Sequence, residues 1–188
     1  MRYPPSAMQN INQRLALLES YKKEIRIGIF GSFYNSRKAD LVRLRGFLRD
    51  CGYTQTRLSE DLDNRTEEER TIDNPIKNRE LSIRLIDESD IHIFVLCMRE
   101  ESEPINLIQS ASMELERVCT LREKGHLTAN YVAVYLQNPL RYQAGGVFKG
   151  LVMKMENDWV IEDFQDIEDI FKPAMQFCYG CVCDIYNF

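Results

Sequence analysis

An α/β fold, with a mainly parallel sheet and helices on both faces, is the architecture this sequence predicts. Two observations predict it. Short strand-like runs recur at 25–30, 54–58, 91–97 and 131–136, and segments with apolar residues at helical spacing lie between them, at 37–51, 76–88 and 112–124. Strand and helix therefore alternate along the chain, and sequential parallel strands need helical crossovers on the sheet faces.

The elements follow in order. After Pro4 and Pro5, Ile11, Leu15, Leu18 and Tyr21 recur every three or four residues, which predicts an amphipathic helix within residues 1–24 that either flanks the sheet or forms a homodimer surface. Ile25 to Phe30 reads as a buried strand closed by Gly31-Ser32, and the next helix ends at Gly52. The charged stretch Glu60 to Asn74 predicts an exposed loop. Ile76, Leu81, Leu85 and Ile86 mark a helix that leads into Ile91 to Cys97, and a further helix runs from about Ser112 to Lys124. Toward the carboxyl end, 147–155 predicts a short helix, Trp159 to Phe164 a strand, and Asp166 a helix start that Pro173 should bend or shorten. With 188 residues and 44% hydrophobic content, residues 25–188 form a single α/β domain behind the N-terminal helix.

Composition excludes several classes of function. Twenty-four basic residues against 29 acidic ones give a net charge of -5, and the basic residues are scattered, so nucleic acid is not an expected partner. No apolar run approaches the roughly 18 residues of a membrane span. The start Met1-Arg-Tyr-Pro-Pro5 lacks the apolar core of a signal peptide, so a cytoplasmic location is expected. The six cysteines include Cys51, Cys97 and Cys119 within apolar patterns, which predicts reduced thiols. Cys178, Cys181 and Cys183 offer three ligands where structural zinc takes four, so no metal and no cofactor is expected.

Two carboxylates on the 112–124 helix compete for a chemical role. Glu114 and Glu116 lie two positions apart, about 200° around the helix, so they cannot share a face. Leu115, Val118, Cys119 and Leu121 define the inward face, which puts Glu114 on its border and Glu116 toward solvent. Near the start of the helix, the macrodipole would keep Glu114 ionised as a nucleophile or electrostatic stabiliser. Gly31-Ser32-Phe33-Tyr34 ends the first strand, either as a tight turn or as a cradle of backbone N–H groups for a phosphate or ribose. Gly145, Gly146, Lys149 and Gly150 carry the same two readings. His92, inside an apolar strand, reads as a satisfied core residue, and Asp90 as a turn residue at the other end of the sheet.

The order strand, Gly31-Ser-Phe33, helix, Gly52-Tyr53, then Ser89-Asp-Ile-His-Ile-Phe-Val-Leu96 and Ser110-x-Ser-Met-Glu114-Leu-x-Arg117 resembles the nucleoside 2-deoxyribosyltransferase-like superfamily over roughly 25–138. Residues 139–188 would then be a C-terminal extension. The resemblance implies a flavodoxin-like, doubly wound sheet, a nucleoside or nucleotide ligand, and Glu114 as the nucleophile at the anomeric carbon. It implies Ser110 and Ser112 as partners for a phosphate or sugar hydroxyl, beside Gly31, Ser32 and Phe33. The aspartate expected on the preceding helix falls at or near Ser82, which leaves the assisting acid open. Asp61 and Asp63 are substitutes if their loop folds over the crevice. A more distant likeness to TIR domains implies NAD cleavage with Glu116 in the active role. A third reading, from a different class, is a nucleotide-sensing or protein-interaction module without turnover.

Overall fold

A computed structural model describes residues 5–32, 35–70, 74–98, 107–126, 130–140, 150, 153–155 and 158–188, with side chains for all of these except 5–10, 35–36 and 107–110. Five parallel strands form one sheet: β1 Arg26–Gly31, β2 Gln55–Arg57, β3 Ile91–Leu96, β4 Val132–Gln137 and β5 Val160–Phe164. Their order is β2-β1-β3-β4-β5. Around the sheet lie α1 Pro5–Glu24, α2 Asn35–Asp50, the single turn α3 Glu67–Arg70, α4 Pro75–Glu88, α5 Leu107–Glu123 and α6 Phe171–Ile185.

This is the flavodoxin-like, doubly wound arrangement. The chain moves outward from β1 to β2 and then crosses back over β1 to β3. Parallel strands need such crossovers, and the reversal opens a crevice between the carboxyl ends of β1 and β3. Side-chain alternation divides the core into two layers. Ile27, Ile29, Ile93, Val95 and Tyr135 pack toward α1, α2 and α6. Phe30, Phe94, Val132 and Val134 pack toward α4 and α5. All six residues of β3 are buried, because a central strand covered on both faces has no solvent side.

Local chemistry sets the element ends. Asn74 caps α4 by accepting from the Lys77 backbone N–H at 3.0 Å, and Pro75 follows at the first helical position. Arg26 donates from its backbone N–H, Nε and Nη2 to the carboxylate of Asp90, at 3.0, 2.9 and 2.6 Å. The pair pins the amino ends of β1 and β3 together, so Asp90 lies at the end of the sheet opposite the crevice, as its turn position predicts.

Three elements depart from expectation. The charged stretch after β2 is not a plain loop: Ser59–Leu62 forms a 3-10 turn and α3 follows. Buried Asp63 braces it, binding Arg65 at 2.8 Å, while Leu62 packs among Leu81 and Leu85. Pro173 neither bends nor shortens its helix. A 3-10 turn over Ile167–Ile170 takes up the start at Asp166, and Pro173 falls in the first turn of α6, where no helical N–H is required. α5 begins at Leu107, before the expected start near Ser112. Most of the expected 147–155 helix lies outside the described residues, although 153–155 are helical. Among the described side chains of α1, Leu18 is buried, Tyr21 stacks on Tyr186 at 3.9 Å and Arg14 lies over the Phe188 ring at 5.0 Å, while Ile11, Leu15 and Leu17 are exposed. Among the described residues, no helix is long and apolar enough to cross a membrane.

Candidate functional site

The seam between α4 and α5 holds the most perturbed carboxyl group of the helix that the sequence singles out. Ala111, Leu115, Val118 and Cys119 of α5 are buried on the sheet. Glu116 is exposed and Glu114 half-buried, as the helical projection requires. One turn beyond Glu114, Arg117 donates to Asp87 of α4 at 3.1 Å, which shows that this flank of α5 faces α4. From α4, the half-buried Ser82 hydroxyl donates to the Glu114 carboxyl group. Burial pushes the Glu114 pKa up to about 7, and the Ser82 hydrogen bond partly opposes that rise.

Here the sequence expectation is corrected. Glu114 is the eighth residue of α5, counted from Leu107, and not part of its first turn. The field of a helix end falls off within that turn. Desolvation therefore governs the group and raises its pKa, where a helix end would have lowered it.

The carboxyl edge of the sheet carries the other candidates. Gly31 closes β1 opposite Val95, and a Cβ there would stand 2.7 Å from the Val95 carbonyl oxygen, so packing alone demands the glycine. Ser32 follows at the edge, half-buried. Arg37 of α2 donates to the Met98 carbonyl at 3.1 Å, and the Met98 N–H donates to Gln137 Oε1 at 2.8 Å. Arg37 and Gln137 thus tie the start of α2 to the carboxyl ends of β3 and β4. Neither stood out in the sequence, although Gln137 is the polar residue that ends an apolar strand, a legible signal.

The remaining candidates divide. Ser112 is half-buried on α5 but sits about 160° from Glu114, so the two do not share a flank. The backbone of Ser110 belongs to α5, but its side chain lies outside the described residues, as do Phe33, Gly145, Gly146 and Lys149. His92 is buried, its Nε2 3.0 Å from the Ile86 carbonyl and its ring beside Phe30. All six cysteines are free thiols. Burial raises the Cys178 thiol and pushes Cys181 up to about 12, so both stay protonated. Among the described residues, no group of three His, Cys, Asp or Glu side chains could hold a metal ion.

A cavity of about 560 Å³ opens beside the edge strand β2, lined by Arg49, Gln55, Arg57, Asp61, Asp63 and Arg84 among others. It contains neither Ser32 nor Glu114. Asp61 and Asp63, considered as assisting acids, belong to this cavity: Arg45 holds Asp61 at 2.5 Å and Arg65 holds Asp63 at 2.8 Å. Neither carboxylate is among the groups that act on Glu114. No family model, curated protein or solved structure matches the chain.

Proposed function

We propose that the protein cleaves the N-glycosidic bond of a nucleoside or nucleotide, with Glu114 as the catalytic carboxylate. The observation that carries this reading is the Glu114 carboxyl, enclosed in the α4–α5 seam, with a pKa near 7 and a hydroxyl donor in Ser82. A structural glutamate on a helix flank is normally solvated or paired with a cation. This one pays the desolvation cost without a charged partner among the described residues, which is the usual mark of a group tuned for chemistry.

The ionised carboxylate would attack the anomeric carbon as the bond to the base breaks, and the base would leave with the bonding electrons and take a proton from water. An ester between Glu114 and the sugar results. Water attacking the anomeric carbon then frees the sugar and regenerates the carboxylate. A second base in place of water gives transfer. Ser82, standing where the resembling family carries an aspartate, contributes a hydrogen bond without a second negative charge, which favours the ionised form of Glu114.

The test is base release, followed by chromatography, from a panel of nucleosides, nucleotides and NAD. Glu114→Gln should abolish release, and Glu116→Gln, at an exposed position, should leave it intact. A dead Glu116→Gln would move the chemistry to the TIR-like register. Tight nucleotide binding without release would make the domain a sensor, and no response to either variant would end both enzymatic readings.

A further inference from the structure

We infer that the cavity beside β2 binds a small ligand bearing phosphate groups, at a site separate from Glu114. Three elements bring guanidinium groups to its wall: Arg49 at the end of α2, Arg57 on β2 and Arg84 on α4. The carboxylates near them are already neutralised by other partners at closer range. Asp61 binds Arg45 at 2.5 Å while Arg49 stands off at 3.6 Å. Glu88 binds Arg84 at 2.6 Å while Arg57 stands off at 3.6 Å. Asp63 is matched by Arg65 at 2.8 Å, and Glu60 by Lys38 at 2.6 Å. Among the described residues, Arg49 and Arg57 therefore share their carboxylates with closer partners and bring positive charge that these carboxylates only partly balance, in a protein whose net charge is -5.

Besides these longer ion pairs, both groups are held in place by neutral acceptors. Arg49 Nε donates to the Thr56 carbonyl at 2.9 Å, and Arg57 Nη2 donates to Gln55 Oε1 at 2.6 Å. Neutral acceptors fix a guanidinium plane and leave its charge for a ligand, and a phosphate oxygen pair matches the remaining N–H fork. The volume, about 560 Å³, is on the scale of a small-molecule site. A nucleic acid strand is a poor occupant, because Asp61 and Asp63 share the wall and, among the described residues, no aromatic side chain lines it for base stacking.

The experiment is isothermal titration calorimetry of the full chain with inorganic pyrophosphate and, in parallel, ADP. Saturable binding at one site is expected, weakened at least tenfold by Arg49→Gln and by Arg57→Gln, with Arg57→Lys between wild type and Arg57→Gln. Tighter binding of ADP than of pyrophosphate would identify the source as a nucleotide, whereas equal binding would place recognition in the phosphates alone. No saturable binding, or affinities within twofold of wild type in both glutamine variants, would overturn the site. Glu114→Gln should leave the binding of pyrophosphate, which has no glycosidic bond, unchanged, so that arm is independent of the proposed reaction.

Discussion

The Ser82 hydroxyl on α4 donates to the Glu114 carboxyl group on α5, joining two helices that approach the sheet from separate crossovers. Burial favours the protonated acid and the hydrogen bond favours the carboxylate. Their balance puts ionisation near neutrality.

Ser82→Ala removes the donor while leaving the enclosure, so the Glu114 pKa should rise further. Carbon-13 NMR titration of the side-chain carboxyl reads this directly, without any activity assay. Ser82→Thr, which keeps the hydroxyl, should restore the wild-type titration. An unchanged midpoint in Ser82→Ala would show that the hydroxyl has no hold on the acid.

Stability should depend on pH through the same group. The carboxyl titrates near its ordinary value of 4.5 in the unfolded chain and near 7 in the fold. Between those values the folded state keeps a proton that the unfolded state has released, so stability falls as pH rises through this window, and the cost is complete above it. Glu114→Gln should gain about 2 kcal/mol relative to wild type at pH 8 and nothing near pH 4. Urea unfolding at the two pH values checks it, and an equal difference at both would exclude Glu114 as the source.

At the switch point, Gly31→Ala should destabilise the fold by about 1–3 kcal/mol, because the new methyl meets the Val95 carbonyl and both δ-carbons of Leu41. The obstacle is backbone of the central strand, which cannot rotate away. A thermal midpoint equal to wild type would mean that β1 and β3 separate at little cost.

Tyr53 and Tyr135 are fully buried, and neither hydroxyl has a hydrogen-bond partner among the described residues. Burial raises both phenol pKa values, so each stays protonated and polar in an apolar layer with Cys178 and Cys181 close by. Tyr53→Phe and Tyr135→Phe should each stabilise the protein, by up to about 1 kcal/mol, since an unpaired buried hydroxyl is removed without loss of ring volume. Calorimetric midpoints below wild type would point instead to a bound water that pairs them.

Much of the architecture was legible along the chain. The short, β-branched-rich run Ile91–Leu96 marks a strand buried on both faces, and the helical spacing of Leu81, Leu85 and Ile86 marks the buried face of α4. That Glu114 is less exposed than Glu116 also followed from helical geometry. Pro173 misled because proline limits a helix interior but suits a first turn, and only the position of the helix start distinguishes the two.

What the sequence by itself determined is therefore periodic: which segments are strands or helices, which faces are apolar, and that Glu114 lies on a border. Those properties depend on neighbours within a turn or a pleat. Tertiary structure alone decided that Ser82 meets Glu114, that Asp61 and Asp63 are spent on Arg45 and Arg65, and that Arg49 and Arg57 converge on one cavity. The ionisation of a carboxyl depends on its enclosure and on groups brought to it from other elements. Spacing along one helix carries no record of either.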